Sequence, residues 1–161
     1  MAVGSMRLDT LHAPSDVSEG ERFTVLGSLR APVSAHCVER TRQFVRMVLT
    51  LSGGSKVAKE DAGVIVSELF TNVVLHVGDS TEPFAFLVFG QLGTTFRIEV
   101  HDSGELMRHP QKEPDLTTEY GRGLWIVHGL ADRWGADETP DGKCVWAEIE
   151  AWPEPSAGTK A

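Results

Sequence analysis

The sequence predicts an α+β fold: a two-layer sandwich in which a mixed, mostly antiparallel sheet carries its helices on one face. Three observations lead there. Read for periodicity, the segments run strand, helix, helix, strand, strand, polar stretch, helix, strand, strand; helices and strands come in blocks, not in the alternation that builds a parallel sheet. Residues 94–101 alternate cleanly, with Phe96, Ile98 and Val100 on one face and Thr95, Arg97, Glu99 and His101 on the other. That pattern suits an antiparallel hairpin with one face buried and one more polar. Residues 62–77 form an apolar run with no proline and a single glycine, Gly63, and its Ala62, Val66, Leu69, Phe70, Val73 and Val77 share one face at helical spacing.

A chain of 161 residues has the length of one domain, and such a domain buries about two-thirds of its unfolded surface. Residues 20–150 are read as that domain. Residues 1–19 are irregular and polar, a disordered or vector-derived terminus in view of the second methionine, Met6, and residues 151–161 are a flexible tail with two prolines. Arg22 to Gly27 has strand propensity and is short enough for a sheet edge. Ala31-Pro32 marks a helix start, proline suiting a first turn. Val38, Thr41, Val45, Val48 and Leu49 give this helix an inward face. Arg40, Arg42 and Arg46 form a basic stripe elsewhere on it, either a solvated face or a surface for partner docking. Residues 51–55 end the helix.

The central helix runs from Lys56 to about His76 and is closed by Gly78-Asp79-Ser80. Glu68, Asn72 and His76 stack four residues apart on the side away from its apolar face, with Val64, Ile65 and Leu75 beside them. A helix apolar nearly all round is buried, and a bare buried carboxylate is costly, so a cavity, ligand, metal or partner side chain is expected to face this stripe. The alternative is an ordinary surface stripe. Phe84 to Phe89 reads as a buried strand, Gln91-Leu92-Gly93 as the turn into the alternating strand, and Asp102-Ser103-Gly104 as its end. Residues 105–120, polar and carrying Pro110 and Pro114, read as a mobile lid. Gly121-Arg122-Gly123 opens a helix from Leu124 to about Ala131. Trp134 to Glu138 and Lys143 to Glu150 form a last hairpin around Pro140-Asp141-Gly142, with Val145, Ala147 and Ile149 on one face.

The net charge of −8 argues against general nucleic-acid or anionic-membrane binding. Cys37 and Cys144 stand far apart, without a CxxC or clustered histidines, so neither a disulfide framework nor a structural zinc is expected. With no signal peptide or membrane span visible, the reading is a cytoplasmic protein.

Three motifs carry chemistry. Asp102 at a strand end can accept a hydrogen bond from an exocyclic amine such as adenine N6, and Gly104 lets backbone and ligand approach closely. Gly121-Arg122-Gly123 at a helix start offers free N–H groups and a positive dipole end to phosphate. Asn72 can ligate Mg²⁺ through its amide oxygen. Taken singly, the first is as well explained as a turn and the second as a flexible loop.

Together these motifs resemble the GHKL ATPase superfamily with its Bergerat, histidine-kinase-like nucleotide fold. The segment Ser67-Glu68-Leu69-Phe70-Thr71-Asn72-Val73-Val74-Leu75-His76 is closer to the anti-sigma-factor serine/threonine kinases of bacteria. Ala131-Asp132-Arg133-Trp134-Gly135 and Gly142-Lys143-Cys144-Val145-Trp146-Ala147-Glu148 look like the stand-alone members abundant in actinomycetes. The resemblance covers about Phe23 to Ile149. It implies that Glu68 is the catalytic base polarising a substrate hydroxyl, that Asn72 holds Mg²⁺, that Asp102 and Gly104 bind adenine, and that Gly121, Arg122 and Gly123 border the phosphates of ATP. His76 fits the pattern in a structural role. The first glycine box departs from Asp-x-Gly-x-Gly: Leu106, after Glu105, stands at the fifth position, with Arg108, His109 and Lys112 nearby as compensating charges. The function implied is an ATP-dependent regulator of transcription that sequesters a sigma factor and phosphorylates an anti-anti-sigma (STAS-type) partner, with a homodimer as its assembly. The alternatives are a non-catalytic nucleotide-binding switch module, favoured by the missing glycine, and a detached histidine-kinase catalytic domain.

Overall fold

Hydrophobic periodicity places each segment, and the three-dimensional structure moves several of their ends. The computed structural model describes residues 22–77, 84–104 and 119–153. The expectations for residues 1–19, for the Gly78-Asp79-Ser80 stop, for residues 105–118 and for most of the tail lie outside the described residues. The elements are β1 (Phe23–Pro32), α1 (Cys37–Leu51), α2 (Lys56–Val77), β2 (Phe84–Leu92), β3 (Thr95–Asp102), α3 (Glu119–Leu130), β4 (Arg133–Thr139) and β5 (Gly142–Glu150). The strands form one sheet in the order β1-β2-β3-β5-β4, with every pairing antiparallel. Among the described residues no helix is long and apolar enough to cross a membrane.

Ala31-Pro32 does not open α1. It ends β1, where Pro32 pairs with Phe84, because a proline is tolerated on an edge strand; α1 starts at Cys37 after a turn closed by Cys37 N–H donating to Ser34 O. A bulge at Leu26, between Val25 and Gly27, switches which β1 residues face the helices. Gly27 then lies under α1, where a Cβ would stand 3.0 Å from Val48 Cγ2. The turn between β2 and β3 sits one step later than expected: Gln91 and Leu92 stay paired, and Gly93 takes φ +58°.

The core forms where α2 lies on the sheet. Ala62, Ile65, Val66, Leu69, Phe70 and Val73 of α2 meet Leu87, Phe89, Phe96, Ile98, Val100, Ala147 and Ile149. Val45, Val48 and Leu49 of α1 and Val127 of α3 join the same cluster, so α2 is the middle helix of the layer. It is not buried all round as expected, since Val64 and Leu75 are exposed. The basic stripe of α1 is partly used inside the protein. Arg42 Nε donates to Ser67 Oγ at 2.9 Å, and Arg46 pairs with Glu60 at 3.0 Å. Gly63 lets both arginines cross, because a Cβ there would lie 3.0 Å from Arg46 Nε. Arg40 remains exposed.

The other face of the sheet departs most from expectation. The polar residues of the β3 alternation are not solvated: Arg97 is 2% exposed, Glu99 7% and, on β5, Glu148 3%. Register explains this. Arg97 stands opposite Glu148, to which its Nη1 donates at 2.7 Å, while its Nε donates to Glu99 Oε1 at 2.8 Å. The guanidinium stacks 4.1 Å from the Trp146 ring. Alternation marks a face, and complementary charges then allow that face to be buried.

Candidate functional site

The site grows from the α2 stripe. Glu68 and Asn72 are half-buried and directed at α3. A Cβ on Gly123 would lie 2.8 Å from Glu68 Oε2 and 3.6 Å from Asn72 Oδ1, so the two oxygens converge on a position of α3 that carries no side chain. The Asn72 amide oxygen is a hard donor of the kind that suits Mg²⁺. Gly121-Arg122-Gly123 does not precede the helix as expected: α3 already starts at Glu119, taking the last two residues of the anticipated lid. Gly121 therefore belongs to the first turn, whose N–H groups have no intrahelical acceptors. Gly123 is buried and Arg122 exposed.

Asp102 ends β3 on the helix-bearing face, with its side chain fully buried. Its Oδ1 accepts the Gly104 N–H at 2.7 Å and lies 3.3 Å from Lys143 Nζ. Its Oδ2 is buried and accepts nothing among the described residues. A buried carboxylate oxygen without a donor is costly, and a ligand amine would satisfy it. Register brings Lys143 here, opposite Asp102 on β5. Gly142 is required beside it, with φ +153° and a hypothetical Cβ that would collide with the Asp102 carbonyl oxygen. Neither Gly142 nor Lys143 was among the expected site residues. The sequence signal that places them beside Asp102 is the shared apolar alternation of β3 and β5, which aligns Phe96, Ile98 and Val100 with Ile149, Ala147 and Val145.

His76, at the far end of the stripe, belongs to the same corner. Burial lowers its pKa from the ordinary 6.5, the Lys143 charge lowers it further, and Asp102 opposes both. Glu68 and His76 are eight residues apart, about 12 Å along a helix. Gly123 stands at one end of that stripe, and Asp102 with Lys143 stands at the other. The structure thus places Glu68, Asn72 and Gly123 together toward one end of the α2 stripe, and Asp102, Gly104 and Lys143 together at the other. Leu106, Arg108, His109 and Lys112 lie outside the described residues.

A family model for the histidine kinase-like ATPase domain matches residues 31–149. Among solved structures, the RsbU and RsbW domains of a Mycobacterium tuberculosis protein are similar, with a TM-score of 0.59 and 17% identity over 78% of this chain. This chain spans 32% of that one. A chain of the SiaB–SiaC complex from Pseudomonas aeruginosa is similar with a TM-score of 0.60 and 13% identity, covering 78% of this chain and 90% of that one. These likenesses carry the fold. A comparison with curated proteins gives no match.

Proposed function

Because the chain belongs to the histidine kinase-like ATPase domain family, we propose that it binds ATP in the α2 cleft and acts as a serine/threonine kinase of the anti-sigma-factor type. The observation that carries this reading is the buried, unpartnered Oδ2 of Asp102, which meets the need of an adenine amine. Asn72 would hold Mg²⁺, whose bound charge would offset that of the phosphates; the first turn of α3, with Gly121, Arg122 and Gly123, borders them. Glu68 accepts the proton of a partner's serine or threonine hydroxyl as that oxygen bonds to the terminal phosphorus, and the bond to the ADP oxygen breaks. The partner is an anti-anti-sigma (STAS-type) protein that this phosphorylation inactivates, leaving a sigma factor sequestered. The SiaB–SiaC and RsbW likenesses support a switching role of this kind. Residues 20–150 as the catalytic unit, a homodimer and a cytoplasmic site of action belong to the same reading. Leu106, in place of the second glycine, favours one rival: the same nucleotide cleft serving a switch that transfers no phosphate.

Calorimetry and labelled ATP separate the two. ATP should bind and GTP, with a carbonyl in place of the amine, should bind poorly. Asp102→Asn should lose about ten- to a hundredfold in ATP affinity. Glu68→Gln should retain binding within a few-fold while partner phosphorylation falls by at least about 10². Equal affinity for ATP and GTP defeats the adenine assignment. Wild-type protein that binds ATP and partner without transfer leaves the switch.

A further inference from the structure

The face of the sheet opposite the nucleotide cleft carries a second cluster of ligating groups that the proposed kinase chemistry does not use. Glu99 and His101 point from β3 to this face, and Cys144 stands directly opposite His101 on β5. One ligand atom from each of the three lies within 4.8 Å of the other two. Glu99 and Cys144 are buried, and the His101 side chain is 13% exposed. We propose that Glu99, His101 and Cys144 form a binding site for a borderline-soft divalent metal of the Zn²⁺ class.

Three features support this. The donor set is mixed carboxylate, imidazole and sulfur, the set that suits zinc rather than magnesium or calcium. The separations fit: donors on a tetrahedral zinc are about 3.5 Å apart, so side-chain rotations of an ångström or so close the triangle. The protein does not use the ring fully, since His101 Nε2 contacts Glu99 Oε2 at 3.0 Å while Nδ1 is buried without any partner. On binding, sulfur bonds to the metal as the thiol proton leaves to solvent, and a water completes the three-protein-ligand shell. The sequence reading expected no structural zinc because it looked for closely spaced ligands. Here the β3–β5 register assembles residues far apart in the chain.

The test is a Co²⁺ titration of the reduced, chelator-treated full chain, followed by Zn²⁺. One Co²⁺ per chain should bind with a sulfur-to-cobalt charge-transfer absorption, and Zn²⁺ should abolish it. Cys144→Ser should lose the absorption, Cys37→Ser should keep it, and His101→Gln should weaken binding at least about tenfold. Circular dichroism of the metal-free variants checks that they are folded. Absence of the absorption in wild type, or its loss in Cys37→Ser rather than Cys144→Ser, overturns the site. Should Cys144→Ser fail to fold, X-ray absorption on zinc-loaded wild type decides: a shell of nitrogen and oxygen alone overturns the proposal. Neither readout involves nucleotide, so failure here leaves the kinase reading untouched, and the reverse holds.

Discussion

Asp102 has one carboxylate oxygen engaged by Gly104 and Lys143 and one without a donor. That asymmetry separates it from an aspartate that merely closes a turn, and the sequence could not display it. Asp-Ser-Gly looks the same in both roles, and only the register that puts Lys143 opposite shows which applies. Glu68 and Asn72 were easier to read, because four-residue spacing puts both on one side of any helix. Gly123 is the residue on which these two depend. Gly123→Ala would place a methyl 2.8 Å from Glu68 Oε2, and the flexible carboxylate would swing aside. Stability should change by less than about 1 kcal/mol, alanine being the better helix former. Phosphotransfer should fall toward the level of Glu68→Gln. Denaturation and transfer assays on the same preparation check this, and undiminished transfer would detach Glu68 from the reaction.

α2 is the element on which the others depend, because it touches α1, α3, β3 and β5. Phe70 lies at its centre, fully buried. Phe70→Ala should cost about 3–5 kcal/mol, read from chemical denaturation; a loss below 1 kcal/mol would mean that α2 packs otherwise. At this scale most of the fold was readable, since long stretches of clean period announce α2, β3 and β5. The misreadings share a cause. Ala31-Pro32 is locally compatible with a first helical turn, and only the pairing of β1 with β2 recruits it into a strand. Gly121-Arg122-Gly123 reads as a loop from composition, yet α3 absorbs it. Arg97 and Glu99 read only as a more polar face, because alternation carries no information about partners across the sheet. In each case pairing outside the local window decided the outcome.

For the whole molecule, the corner where α2 meets the β3–β5 ends should set a pH limit. His76 is held below its ordinary 6.5 by burial and by Lys143, against Asp102. A depressed folded-state pKa means that the unfolded chain takes up the proton first. The stability concerned is complete above 6.5 and is lost as pH falls through the lowered value. Melting temperature should therefore decline on mild acidification, and His76→Gln should flatten that limb; an unchanged limb in the variant would exclude this histidine as the cause.

His101 and Asp102 are adjacent in β3, yet one belongs to the proposed metal cluster on one side of the sheet and the other to the proposed nucleotide corner on the opposite side. A single peptide unit joins them, about 3.8 Å from Cα to Cα. A shift of β3 that draws His101 toward a metal also moves the carboxylate that receives the amine. Linkage makes such an effect reciprocal: the factor by which zinc alters nucleotide affinity is the factor by which nucleotide alters zinc affinity. One strand, one layer thick, would then let two chemically unrelated ligands report on each other without sharing an atom.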